Sequence, residues 1–186
     1  MRANKIIAYE SILQVLGEPG CPLCRFMKNF QAALLQDCKA SGLHHLCNFH
    51  TWGLAATQRA SSVAELFITL LQERSTDSIA CVCDICFLLQ KEEDLRIREF
   101  SIFLGSALVA EWQKNQPEIC IIHGVKLMHG APQLLASTIR SITERYRMRL
   151  VADLTHLRDE SQHDASKGGL IGHAAEFLVA QRGLRA

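Results

Sequence analysis

Apolar residues recur at steps of three and four along most of the chain, and nothing alternates with a period of two over a useful length. The clearest run is Leu135 to Leu157, where Ile139, Ile142, Tyr146, Leu150 and Leu154 form one helical stripe over about six turns. Arg140, Arg145, Arg147 and Arg149 flank the stripe and read as a solvated edge with stems lying on apolar neighbours. Asp153 falls inside the stripe, four residues after Arg149, which is placed to pair with it. Ser62-Val63-Ala64-Glu65 has the form of a capping box and opens a helix towards Leu71. Pro19, Pro22, Pro117 and Pro132, with Gly17, Gly20, Gly42, Gly124 and Gly130, fall at the edges of these stretches. The pattern predicts an all-α protein with helices near 4–16, 24–40, 49–60, 62–74, 86–114 (broken near 91–95), 121–129, 132–160 and 170–182.

Composition narrows the class. A chain of 186 residues, 48% hydrophobic, makes one domain or two small intertwined halves, and burying roughly 70% of its unfolded surface needs no disulfide frame. Twenty basic residues against 19 acidic ones argue against a dedicated nucleic-acid binder, which usually carries a clear basic excess. Ile6, Ile7 and Ala8 are soon interrupted by Glu10, Ser11 and Gln14, so no signal peptide is expected. The longest apolar stretch, Ile102 to Ala110, contains Gly105 and Ser106 and falls far short of the ~20 residues of a membrane span. The chain reads as soluble and cytoplasmic, where thiols stay reduced. Its eight Cys and eight His are then ligands or redox groups before they are disulfides.

The cysteines reveal an internal repeat. Cys21-Pro22-Leu23-Cys24 is followed after 22 residues by Cys47-Asn48-Phe49-His50, and Cys83-Asp84-Ile85-Cys86 is followed after 33 residues by Cys120-Ile121-Ile122-His123. The second copy carries the 11 extra residues between its halves, which the periodicity reads as a helix–turn–helix with its break near Lys91 to Asp94. Two residues between donors let one tight turn present both to one ion, and a helix starting there aims N–H groups at the thiolates. Cys3His is a standard tetrahedral zinc set, and four protein donors leave no open position for water or substrate. The predicted metal ligands are Cys21, Cys24, Cys47, His50, Cys83, Cys86, Cys120 and His123, in two sites, zinc preferred. The alternative is an iron–sulfur cluster, in which His can replace Cys. Spacing leaves open whether each ion takes its CxxC and CxxH from one repeat or from both.

Other candidates carry less. Cys38 and Cys81 have no counterpart in the other copy and read as core or spare thiols. His44 and His45 read as loop residues, and His129, His156, His163 and His173 as surface or capping residues. Gly168-Gly169-Leu170-Ile171-Gly172 has no strand before it and reads as a linker into the final helix, not as a phosphate loop. No catalytic motif is present.

With these motifs in view, the chain resembles a bacterial family of unknown function built from two CxxC…CxxH repeats. Gly20-Cys21-Pro22-Leu23-Cys24, Leu46-Cys47-Asn48-Phe49-His50-Thr51-Trp52, Cys83-Asp84-Ile85-Cys86 and Ile119-Cys120-Ile121-Ile122-His123 carry the likeness. The tail ending Glu176-Phe177-Leu178 is similar as well. The chain departs from the family in its 11-residue enlargement and in Ile121-Ile122, where a Leu-Pro pair is the pattern. The resemblance implies no catalytic role.

The expected architecture is therefore a helical bundle of two pseudo-repeats (about 17–75 and 79–160), each pinned by a Cys3His site, followed by a C-terminal helix within 168–186. The expected function is a non-enzymatic, metal-stabilised module that presents a surface to a protein partner. A redox protein with iron–sulfur clusters or working dithiols is the alternative, and a zinc-dependent regulator a weaker one.

Overall fold

The computed structural model describes residues 16, 19–36, 45–57, 60–73, 83–106, 109–114, 117–159 and 168–179. Among them are eight α-helices and no strand: α1 (Pro22–Gln36), α2 (Asn48–Thr57), α3 (Ala60–Glu73), α4 (Asp84–Leu104), α5 (Val109–Lys114), α6 (Ile121–Met128), α7 (Gln133–Asp159) and α8 (Gly168–Val179). The all-α expectation holds. The helix expected over 4–16 falls almost wholly outside the described residues, as do Cys38, Cys81, His44 and His163.

Four of these helices begin in the same way, one residue after a cysteine. α1 follows Cys21, α2 follows Cys47, α4 follows Cys83 and α6 follows Cys120. In each, the cysteine carbonyl accepts the N–H four residues on: Arg25 at 3.1 Å, Thr51 at 2.9 Å, Phe87 at 2.9 Å and Gly124 at 2.8 Å. Pro22 occupies the first position of α1, where its fixed φ suits the helix and its missing N–H is not needed. The chain enters α1 through Gly20 at φ +98°, a left-handed conformation that side chains with a Cβ disfavour.

Three local expectations are corrected. α3 starts at Ala60, so Ser62 lies inside its first turn and not at the cap. The break placed near Lys91 to Asp94 does not exist, because α4 runs unbroken through it. That stretch contains neither Gly nor Pro, its Lys and Glu are good helix formers, and Glu93 is fully buried. The helix stops instead at Gly105 and Ser106, where Ser106 N–H donates to the Phe103 carbonyl at 2.9 Å and tightens the last turn. At the C-terminal end, the glycine-rich segment from Gly168 to Gly172, expected as a linker, already belongs to α8.

The chain divides into two compact units that cut across the sequence repeats. One is drawn from the chain up to Phe26 and from Leu95 to Arg182; the other is Met27–Asp94. The boundaries fall inside α1 and inside α4, so each of these helices contributes its first turns to one unit and its remainder to the other.

In the first unit the α7 stripe is the floor of the core. Ile139, Ile142, Tyr146 and Leu150 are buried there with Phe100, Phe103, Trp112, Leu127, Phe177 and three cysteines. Trp112 stands edge-on to Phe100 and Phe103, with centroids 5.5 and 5.9 Å away, and Tyr146 meets Phe177 the same way at 5.1 Å. These are favoured arrangements of the ring quadrupoles. Asp153, expected in the stripe, is exposed, and Arg149 pairs with Glu118. The second unit has a smaller core of Leu35, Leu54, Cys83 and Ile85, with Leu46, Leu66 and Leu89 packed against it.

α6 lies closely on α7 because it carries Gly124, which is buried. A Cβ at Gly124 would sit 2.7 Å from Thr143 Oγ1 and 3.6 Å from Thr143 Cγ2. Gly124→Ala is expected to destabilise the protein by about 1–3 kcal/mol through this overlap. Thr143→Ala in the same chain should recover most of that loss. Thermal denaturation of the two variants checks it, and an unchanged melting point for Gly124→Ala would count against the close approach.

Candidate metal centres

All eight predicted ligands lie among the described residues, and the structure gathers them into two quartets. One is Cys21, Cys24, Cys120 and His123; the other is Cys47, His50, Cys83 and Cys86. Within each quartet the donor atoms all lie within 4.8 Å of one another. The pairing that spacing left open runs across the repeats, and neither repeat closes a quartet of its own. The order is nested. The first and last motifs meet in the first unit, and the two middle motifs meet in the second.

Local geometry explains how two donors from one motif reach a common point. The first cysteine stands just before the helix, and its partner three residues on lies in the first turn, so both side chains face the same way off the helix start. At α6, Cys120 is the N-cap with φ −70° and ψ 162°, and its sulfur accepts the His123 N–H at 3.4 Å. Four helix N-termini are thus turned, two by two, on the sulfurs. Their unpaired N–H groups and positive dipole ends favour thiolate over thiol.

In the outer quartet His123 Nδ1 stands 3.5 Å from Cys21 Sγ, 3.3 Å from Cys24 Sγ and 3.2 Å from Cys120 Sγ. Cys24 and Cys120 sulfurs are 3.6 Å apart. All four residues are buried. In the inner quartet His50 Nδ1 lies 3.3 Å from Cys47 Sγ, 3.3 Å from Cys83 Sγ and 3.5 Å from Cys86 Sγ, with Cys47 and Cys86 sulfurs 3.9 Å apart. Cys47 and Cys86 are only partly buried. None of the six cysteines is in a disulfide. On both histidines it is Nδ1 that faces the sulfurs. His50 Nε2 lies 3.4 Å from the Gln31 side-chain amide nitrogen, and a ring ligating through Nδ1 would need the amide oxygen turned to that position to accept its Nε2–H.

Protonation equilibria reflect this crowding. Burial opposes a charge on Cys21, but hydrogen bonds from Cys120 and Cys24 and the positive charge of His123 outweigh it and hold the thiol well below its ordinary range. The hydrogen bond with Cys120 leads the causes that raise Cys24, and the one with Cys21 leads those that raise Cys120. Burial lowers His123, yet the Cys21 charge and the surrounding thiols win and push it up to about 10. In the inner quartet burial, then the Cys83 charge, pushes Cys86 up to about 12. Cys47 is lowered, because the His50 N–H and the neighbouring thiols outweigh burial. Burial keeps His50 neutral, the form that ligates. Three thiols sharing one pocket cannot all ionise unaided, and a divalent cation at the centre of each quartet is what would let them.

Carboxylates tie the paired motifs together, a feature spacing did not reveal. Glu118, two residues before Cys120, accepts the Gly20 N–H with one oxygen and the Arg149 guanidinium with the other. Glu176 of α8 accepts the Cys21 N–H at 3.3 Å. At the inner centre Asp84, inside the CxxC motif, accepts the His45 N–H at 2.7 Å and returns its own N–H to the His45 carbonyl at 2.9 Å. Acidic residues beside Cys motifs were a weak available signal for Asp84 and Glu118. Glu176 had none, being 155 residues from its partner. His129 ends α6, His156 is exposed on α7 and His173 is half-buried on α8; none joins a quartet.

No known protein family, curated protein or solved structure matches the chain.

The nested pairing has a distinctive signature in metal content. Cys24→Ser and Cys120→Ser should each remove the same equivalent of bound metal, and the double variant should lose no more than either alone. Cys24→Ser combined with Cys47→Ser should abolish binding. Metal analysis of the purified variants reads this directly, and equal loss in both double variants would overturn the pairing.

Proposed function

We propose that the protein is a zinc-stabilised helical module without catalytic activity of its own, which presents part of its surface to a protein partner. The observation that carries this reading is the spacing of the donors. A tetrahedral zinc ion, with bonds of about 2.3 Å to sulfur and about 2.0–2.1 Å to nitrogen, sets its donors about 3.5–3.8 Å apart. The sulfur–nitrogen separations are 3.2–3.5 Å, Cys24 and Cys120 sulfurs are 3.6 Å apart, Cys47 and Cys86 sulfurs 3.9 Å, and all four donors of each quartet lie within 4.8 Å of one another. That is the size of one ion's shell. An iron–sulfur cluster spreads its protein ligands over two or four irons and holds donors on different irons further apart. With three sulfurs and a nitrogen supplied by the chain, no position remains for substrate or water, so the role of each ion is structural.

The partner reading rests on the second unit's surface. Trp52 is 70% exposed, and Phe49, Ile68, Leu71 and Phe87 are also exposed there. Aromatic residues of this kind are enriched where proteins meet. The near-balance of charge, 20 basic against 19 acidic residues, fits a protein better than a nucleic acid. No described helix is long and apolar enough to cross a membrane. The cytoplasm, where the thiols stay reduced, is the compartment this chemistry fits.

Anaerobic purification followed by metal analysis and an absorption spectrum tests it. Two zinc per chain with no visible band is the expected result; a brown protein holding iron and acid-labile sulfide would replace the zinc reading with electron transfer. Stripping the metal with a strong chelator should lower the melting temperature sharply, since structural zinc contributes on the order of 10 kcal/mol in small zinc-binding peptides. Full thermal stability after complete stripping would remove the structural role.

A further inference from the structure

The two centres have the same donors but different access to solvent. At the outer one, Cys21, Cys24, Cys120 and His123 are 1%, 0%, 0% and 1% exposed. At the inner one, Cys83 and His50 are buried, but Cys47 and Cys86 reach the surface in part. The neighbours of those two sulfurs do not seal them: Phe49 and Phe87, next to His50 and Cys86 in the chain, are themselves 38% and 50% exposed. The two accessible sulfurs are also mutual neighbours at 3.9 Å. A disulfide needs about 2.0 Å, so a shift of under two ångströms joins them. Distance alone would favour the outer centre, where Cys24 and Cys120 are 3.6 Å apart. Access therefore distinguishes the two, because a thiolate reacts only with an oxidant that can reach it.

We propose that the inner quartet is a peroxide-sensitive site, at which oxidation links Cys47 to Cys86 and releases one metal ion while the outer ion stays bound. This rests on the reading that each quartet holds a zinc ion. Hydrogen peroxide is the oxidant. One accessible thiolate attacks a peroxide oxygen, the O–O bond breaks, and hydroxide leaves, giving a sulfenic acid. The other thiolate then attacks that sulfur, the S–S bond forms, and a second hydroxide leaves. The two sulfurs lose two electrons in all, the peroxide becomes two water molecules after taking up two protons, and the ion loses two of its four ligands. A thiol reductant returns both thiols, and the site can reload.

The test uses the zinc-loaded full chain, treated with dilute hydrogen peroxide beside a chromophoric zinc indicator. Mass spectrometry after thiol blocking and proteolysis maps the disulfide. The expected course is release of one zinc per chain about tenfold faster than the second, with Cys47–Cys86 as the first disulfide and recovery of zinc binding after reduction. Cys21→Ser, which keeps the inner quartet intact, should still release its zinc at the fast rate. Release of both ions at one rate, or a first disulfide between any other pair, would overturn the proposal and leave the zinc reading standing. A chain that carries no zinc before treatment would remove both.

Discussion

The structure depends on one local device used four times: a cysteine placed just before a helix, with a second donor three residues later in its first turn. The device fixes two donors relative to one helix axis and turns the helix N-terminus toward them, so charge on the sulfurs is stabilised by the backbone that positions them. A single motif holds only half of an ion's shell. Two helix starts must therefore meet, and each meeting ties distant segments together. Both cores are built around this, since Cys21, Cys24 and Cys120 belong to the apolar core of one unit and Cys83 to that of the other. Buried thiolates with nothing to neutralise them would weaken those cores, so a metal ion bound at either quartet would couple its binding to folding.

The meeting follows a nested order, and magnitudes show why that is attainable. Closing each quartet within its own repeat would join motifs 23 and 34 residues apart (47 minus 24 and 120 minus 86). The observed pairs are 33 and 96 apart. The extra loop-closure entropy is only about 1 kcal/mol, because that cost grows with the logarithm of length. Packing of a few side chains outweighs it. α1 illustrates how: its first turn carries Cys24, and further along it buries Leu35 against Leu54 in the core that holds Cys83. The carboxylates of Glu118 and Asp84 then fasten the paired motifs through the Gly20 and His45 N–H groups, and Glu176 ties α8 to the Cys21 N–H.

The two centres share chemistry and differ in surroundings. The outer one sits under the α7 stripe and the Tyr146–Phe177 pair, in the larger core. The inner one belongs to a smaller core with fewer side chains to cover it, and two of its cysteines, Cys47 and Cys86, are only partly buried. Equal donors in unequal cores are unequally exposed to other reagents. The asymmetry is a property of packing, invisible in motifs that read almost identically.

The sequence by itself determined most of the helices and which eight side chains carry paired donors, because both are short-range matters. A period of 3.6 places Ile139, Ile142, Tyr146 and Leu150 on one buried face wherever α7 lies, and two residues between donors place both on one turn whatever they meet. Short-range signals failed where a neighbour decided the outcome. The charged run Lys91 to Asp94 looked like a break and is helix, with Glu93 buried, while Arg149 turned from Asp153 four residues away to Glu118 on another segment. The partner of each motif, the exposure of Cys47 and Cys86, and the role of Glu176 were decided only by the tertiary structure. Spacing along a chain fixes the geometry of one turn, whereas which turns meet depends on the packing of helices tens of residues apart.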